Sequence, residues 1–356
     1  MAENSKIEWT HHTWSPWEGC TKVSAGCANC YAANEADGRW GRVVWGPKGT
    51  RRVRAEAGWK DPIRWNKIAK ETGVRLRVFP SMCDPFEDWR GYMIHSGNIP
   101  LWKMDAWNGH PYRWAAGHVI DPGLTGRELS MNDVRRRLFE LIQATPYLDW
   151  LLLTKRPENV LRFWPRHLDA DDDPELWSVE LGQLDEAGSV PRHLKNVWIG
   201  TSVENQEAAD ARIPELLKLR DLSPVLWLSM EPMLGPVDLS RWLLSDSPFF
   251  KPLIDWVIQG GESQDGARWC HPAWARFTRD QCDAAGIAYL FKQWGEWLPT
   301  TVEAGTVRVD VNGSDVTNLP GLFDESDIGF VRVGKKAAGR ELDGQIHNQF
   351  PMGQVT

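Results

Sequence analysis

Short apolar runs that end abruptly in polar residues recur along this chain, with helix-like stretches between them. Residues 75–79 run into Ser81-Met82-Cys83-Asp84, and 148–153 into Thr154-Lys155. Residues 197–199 lead to Gly200 through Asn205, and 225–228 to Ser229-Met230-Glu231. Residues 254–258 lead to Gln259-Gly260-Gly261-Glu262, and 287–291 to Lys292-Gln293. Amphipathic stretches at 131–144, 207–219 and 272–285 separate several of them, with Asn132 as the expected N-cap of the first. Runs too short for helices, alternating with helical periodicity, predict βα units on a parallel sheet.

The expected fold class is therefore α/β, a partial TIM-type βα barrel spanning residues 1–298, followed by a C-terminal extension at 299–356. Residues 91–125 and 169–191 are rich in Gly, Pro and Asp and read as insertions, the second opening on the acidic run 169–173. A helix is expected over 31–37, a loop over 41–58 and a helix over 62–72 closed by Gly73. The six predicted strands finish in Asp84, Lys155, Glu204, Glu231, Glu262 and Lys292. In barrels of this kind the reacting groups sit beyond the carboxyl ends of the strands, so these six predict a shared polar face.

Composition narrows the function classes. No run of about 18 apolar residues occurs and residues 1–6 form no apolar export segment, so a reducing, cytoplasmic setting is expected. The formal net charge of −7 argues against broad, sequence-independent nucleic-acid binding. Arg51, Arg52, Arg54, Lys60 and Arg64 form a local basic patch, which reads first as a solvated helix face. Tryptophan is over-used, 22 against five tyrosines, and each carries a large apolar face plus an N–H needing a partner. Trp294 and Trp297 lie beside a strand end, where they could stack on a base or sugar.

Cys20, Cys27 and Cys30 stand in a C-x6-C-x2-C arrangement near the amino terminus. Three thiols so spaced can grip one metal centre and leave a coordination position open, which suits either an iron–sulfur cluster or zinc. With His11 or His12 they would instead make a closed Cys3His structural site, and the spacing alone leaves both readings open. A zinc-stabilised, non-catalytic binding protein is one alternative. A barrel glycosidase using two carboxylates among Glu204, Glu231 and Glu262 is another.

The run Pro16-x-x-Gly19-Cys20…Gly26-Cys27-x-x-Cys30-Tyr31-Ala32 resembles the cluster loop of radical S-adenosylmethionine enzymes, nearest to the spore-photoproduct-lyase-like branch. That branch has three residues in the first gap where this chain has six, and often an aromatic residue where this chain has Asn29. The chain also resembles, from about Lys6 to Pro351, a phage and prophage family with a three-cysteine motif. Leu153-Thr154-Lys155-Arg156-Pro157, Gly260-Gly261-Glu262-Ser263 and Phe291-Lys292-Gln293-Trp294-Gly295 carry that likeness.

The resemblance implies a [4Fe-4S] cluster on Cys20, Cys27 and Cys30, S-adenosylmethionine as cofactor, and an electron donor as partner. It also implies a 5′-deoxyadenosyl radical acting on a substrate, a nucleobase or nucleic acid by analogy, with a further partner protein encoded alongside. Position then assigns cofactor binding to Tyr31, Ser81, Asp84, Lys155, Ser202 and Glu204. Here the Ser81–Asp84 loop supplies an acceptor for the ammonium, Lys155 pairs with the carboxylate, and Ser202 and Glu204 hold ribose hydroxyls. Lys155, Glu231, Glu262 and Lys292 remain as candidate catalytic groups.

Overall fold

Seven strands run parallel in one sheet, and their order in space is their order in the chain. They are β1 (His12–Thr13), β2 (Leu76–Phe79), β3 (Leu148–Thr154), β4 (Val197–Ser202), β5 (Val225–Met230), β6 (Trp256–Gly260) and β7 (Ala288–Gln293). The computed structural model describes residues 3–91, 93–95, 129–167, 180–181, 190–191, 193–243, 253–303, 305–317 and 327–351. The acidic run 169–173 and most of the two expected insertions lie outside these residues. The sheet curls into a half-barrel, and its edge strands β1 and β7 share no ladder among the described residues. All six expected strands are present, and β1 is an addition: two residues are too few to leave a periodic signal.

Helices α1 (Lys60–Thr72), α2 (Met131–Ala144), α3 (Gln206–Leu217) and α4 (Pro272–Ala285) supply the outer layer. Gly73 closes α1 in the left-handed region at φ 72°, as glycine at that position should. The N-cap of α2 is Ser130 rather than Asn132. Ser130 and Asp133 form a reciprocal capping box, which satisfies two orphan backbone donors where Asn132 would satisfy one. Beyond Cys30 the expected helix begins at Tyr31–Ala33 but widens into a π-turn over Asn34–Arg39. The expected loop 41–58 contains a strand, Arg52–Val53, paired with Trp17–Glu18.

Both faces of the sheet are buried, which is why its strands read as unbroken apolar runs. Side chains alternate between two cores, as strand geometry requires. Leu152, Ile199, Leu228, Val257 and Phe291 face the helices, while Leu151, Trp198, Trp227, Trp256 and Leu290 fill the concave side together with Trp9 and Phe79. Tryptophan rings there sit edge-on or tilted, Trp198 against Trp256 at 5.9 Å and Trp227 against Trp256 at 5.9 Å. Gly200 makes room for this: a Cβ on it would lie 2.3 Å from the Trp227 ring. Four of the 22 tryptophans thus fill the half-barrel, and nine more are buried in the core on the helix side.

The C-terminal residues seal the open side. Leu290 on β7 bridges Asn348 antiparallel, the Trp256 indole donates to the Gln349 carbonyl at 2.9 Å, and the Phe350 ring lies on Trp256. The Arg77 guanidinium, from β2, stacks 4.1 Å above Phe350. The tail therefore reaches from the edge strand β7 to β2, next to the opposite edge. Strands β8 (Trp297–Thr300), β9 (Val307–Val309) and β10 (Ile328–Arg332) form a separate antiparallel sheet in the order β8-β10-β9.

Replacing Trp227 with Ala should cost about 3–5 kcal/mol by leaving a cavity in this layer. Phe277→Ala, on the exposed face of α4, should stay within about 0.5 kcal/mol. Urea denaturation midpoints read both, and comparable losses would mean that the concave tryptophans do not hold the fold.

Candidate functional site

Along the concave face the side chains shrink toward the carboxyl ends of the strands. Trp198 is followed by Gly200 and Ser202, and Trp227 by Ser229 and Glu231. The tryptophans plug the lower half, and a cavity of about 250 Å³ remains above them. Its walls include Ser81 and Asp84 after β2, Lys155 and Arg156 after β3, Ser202 on β4, Glu231 after β5, Glu262 after β6 and Lys292 on β7. Cys20, Cys27, Cys30 and Tyr31 line the same cavity from the N-terminal loop.

That loop is strapped across the strand ends by side chains from opposite sides of the half-barrel. The Glu204 carboxylate accepts from the Gly26 N–H at 3.3 Å. The Asn29 amide donates to Glu262 at 3.0 Å and to the Gly266 carbonyl at 2.6 Å, and Arg268 donates to the Ala25 carbonyl at 3.0 Å. On the other side Arg156 donates to the Thr21 carbonyl at 2.7 Å. Gly19 starts the loop at φ 114°, where a Cβ would lie 2.6 Å from the Thr50 carbonyl oxygen, so only glycine fits.

The expected polar face exists, but most of its charges are already paired. Asp84 accepts from the Thr154 hydroxyl at 2.7 Å, the Lys155 backbone N–H at 3.1 Å, Arg156 at 2.7 Å and the Phe86 N–H at 3.0 Å. With four donors it organises the β2 and β3 loops, and it offers no open acceptor to an incoming ammonium. Glu204 is buried outside the cavity wall and paired with Arg212 at 2.7 Å, so it holds the cysteine loop rather than facing a ribose. Glu231 pairs with Lys292 at 2.9 Å, and Glu262 with Arg268 at 2.8 Å. Lys155 lines the cavity with its ammonium in no ion pair among the described residues. The Tyr31 hydroxyl donates to the Ser81 carbonyl at 2.9 Å, and burial raises its pKa.

These pairings bear on the alternatives. A glycosidase needs one carboxyl held protonated. Burial alone would raise Glu204, but the field of Lys155 with Ser24 and Arg212 outweighs it and holds the carboxyl below its ordinary range. Burial is likewise outweighed at Glu262, by Arg268 and Asn29. For a Cys3His site, neither His11 nor His12 lines the cavity. His11 accepts from the Arg77 backbone N–H at 2.8 Å with its pKa lowered by burial to about 4, and His12 stacks on Trp65 at 4.1 Å. Among the described residues no three His, Cys, Asp or Glu side chains are gathered closely enough to hold a metal ion. The three thiols share one wall without meeting at one point. Burial raises the pKa of the Cys20 and Cys30 thiols, with Asp84 and Glu87 adding to the shift at Cys20.

Other candidates fall elsewhere. Arg51 is fully buried and grips Glu87 through Nε at 2.8 Å, and Arg54 pairs with Asp61, so these two leave the basic patch. Lys60 and Arg64 stand exposed on α1, with Arg64 paired to Glu3. Trp294 is buried with its N–H on the Glu341 carbonyl, and Trp297 donates to the Ala267 carbonyl, so neither N–H is free for a ligand. Gly260 and Gly261 do not take positive φ. Gly261 is needed for space, since a Cβ there would lie 1.9 Å from the Trp294 carbonyl oxygen. Cys270 and Cys282 are buried in the helix layer, and His271 caps α4. Arg156 and Arg268 were missed as site residues. Arg156 stood in the Leu-Thr-Lys-Arg-Pro run beside Lys155, whereas Arg268 lies in an aperiodic loop that carries no signal.

Fold and site together define an α/β half-barrel protein with a thiol-lined, charge-rimmed cavity at its strand ends. The chain belongs to the family described as "Protein of unknown function (DUF5131)", whose pattern matches residues 4–90 and 126–351. No curated protein and no solved structure matches it. No helix among the described residues is long and apolar enough to cross a membrane.

Glu204 makes stability acid-sensitive. Its carboxyl titrates below its ordinary 4.5 in the folded state, so its contribution is full above that pH and fades as pH falls through the folded value. Urea midpoints should drop on acidification below pH 4.5, and Glu204→Gln should flatten part of that slope. An unchanged slope would remove Glu204 from the strapping role.

Proposed function

We propose that this protein is a radical S-adenosylmethionine enzyme built on a partial TIM-type barrel, with Cys20, Cys27 and Cys30 holding a [4Fe-4S] cluster. The observation that carries the reading is the placement of three N-terminal thiols on one cavity wall at the carboxyl ends of a curled parallel sheet. The fit is one of donor type and location: three soft, half-buried thiols over the face where barrels keep their reacting groups. The likeness of the Cys20–Ala32 run to radical-enzyme cluster loops supports the same reading. When bound, such a cluster supplies one electron for cleavage of S-adenosylmethionine to methionine and a 5′-deoxyadenosyl radical, which takes hydrogen from a substrate.

The chain's own residues then have separable tasks. Lys155, facing the cavity with its ammonium in no ion pair among the described residues, suits an anionic group such as the cofactor's carboxylate. Ser202 and Ser229 offer hydroxyls between the tryptophan layer and the charged rim. Glu231 and Lys292 neutralise one another at 2.9 Å and present a dipolar wall to whatever enters beside the cofactor. Asp84, Glu204 and Glu262 keep the loops in place. A nucleobase or nucleic-acid substrate, an external electron donor and a cytoplasmic setting follow from the same reading.

Anaerobic purification and reconstitution test it. The full chain should take up iron and sulfide, and reductant with S-adenosylmethionine should yield 5′-deoxyadenosine. Cys20→Ala, Cys27→Ala and Cys30→Ala should each abolish iron retention while Cys270→Ala keeps it. Colourless protein with stoichiometric zinc, or equal loss in all four variants, would remove the cluster from the account.

A further inference from the structure

Arg156 follows Lys155 in sequence but plays a different part. Its side chain is about nine-tenths buried beneath the cysteine loop. One terminal nitrogen donates to Asp84 at 2.7 Å and approaches the Cys20 sulfur at 3.8 Å, within hydrogen-bonding range for sulfur. The other donates to the Thr21 carbonyl at 2.7 Å. Behind it, Glu87 lies 3.7 Å from Arg156 and 2.7 Å from the buried Arg51. Charges thus alternate along a buried chain, Arg51, Glu87, Arg156, Asp84, and Arg156 carries that chain to a thiol.

The planar fork of arginine permits this division of labour. One edge anchors the loop backbone next to Cys20, and the other carboxylate-fixed edge aims an N–H at the sulfur. Lysine has one nitrogen on a flexible stem and cannot serve carboxylate, carbonyl and sulfur at these positions together. A cationic donor on a ligating sulfur favours the more electron-rich state of the centre it binds, and such hydrogen bonds are among the determinants of cluster potential.

The geometry points to Arg156 as the positioning residue of Cys20: it fixes the loop on which that thiol stands and raises the reduction potential of the centre the thiol helps to hold. The redox half of this inference rests on the cluster reading proposed above; the positioning half does not.

The test compares wild-type full chain with Arg156→Lys and Arg156→Ala after anaerobic reconstitution with iron and sulfide. Circular dichroism establishes folding, and if Arg156→Ala fails to fold, Arg156→Lys decides, since it keeps a cation beside Asp84. Arg156→Lys should bind iron about 10- to 100-fold more weakly, as loss of an outer partner of a metal ligand usually does. The fraction that loads should be reduced at a lower potential, a change that mere loosening of the structure does not require. Equal affinity and equal potential in wild type and Arg156→Lys overturn the inference while leaving the cluster reading intact. If wild type takes up no iron, the cluster reading fails and the redox half falls with it. Alkylation of Cys20 by iodoacetamide in the metal-free chain then decides the positioning half. Faster alkylation in Arg156→Lys upholds it, and equal rates overturn it.

Discussion

An open half-barrel has an inner face that no second sheet covers, and filling that face is the constraint from which the rest follows. The hollow left by the curled sheet is filled by Trp9, Trp198, Trp227 and Trp256 together with Phe79, Leu151, Ile258 and Leu290. Their rings meet at an angle, the arrangement that aromatic quadrupoles favour. Gly200 yields its side-chain volume to Trp227, and Phe350 with Asn348 spans from β7 to Arg77 on β2. Because the tryptophans sit low, serines and glycine above them leave a cavity only at the carboxyl ends of the strands.

Charge balance governs that upper half. A carboxylate or ammonium taken out of water is costly unless matched, and removing one partner leaves the other stranded. The chain answers with Arg156 for Asp84, Arg212 for Glu204, Arg268 for Glu262 and Lys292 for Glu231. Several of these pairs also hold the cysteine loop, so the electrostatics that neutralise the rim are what keep three thiols over the cavity. Lys155 stands apart, lining the cavity with no ion pair among the described residues.

Much of the fold was legible because parallel strands buried on both faces leave plain apolar runs. The six strands and helices α2 and α4 were readable for that reason, with α2 and α4 matching their expected bounds. Two-residue β1 was not, nor was the Ser130 capping box, where Asn132 looked equally suitable by residue type alone. The convergence of strand-end charges with the cysteines was also readable, since the carboxyl ends of parallel strands share one side of a sheet. What each charge does there was not: Asp84 and Glu204 have the residue type of ligand-facing acceptors, but donors within the protein occupy both.

By itself the sequence determined the alternation of strand and helix, the burial of both sheet faces and the gathering of thiols and charges at one end, because these follow from periodicity and chain order. Only the tertiary structure decided which charges cancel, which tryptophans are core and which arginine reaches Cys20. Those outcomes depend on distances between residues tens to hundreds of positions apart, as with Asn29 and Glu262 or Arg156 and Thr21, and no local pattern encodes them.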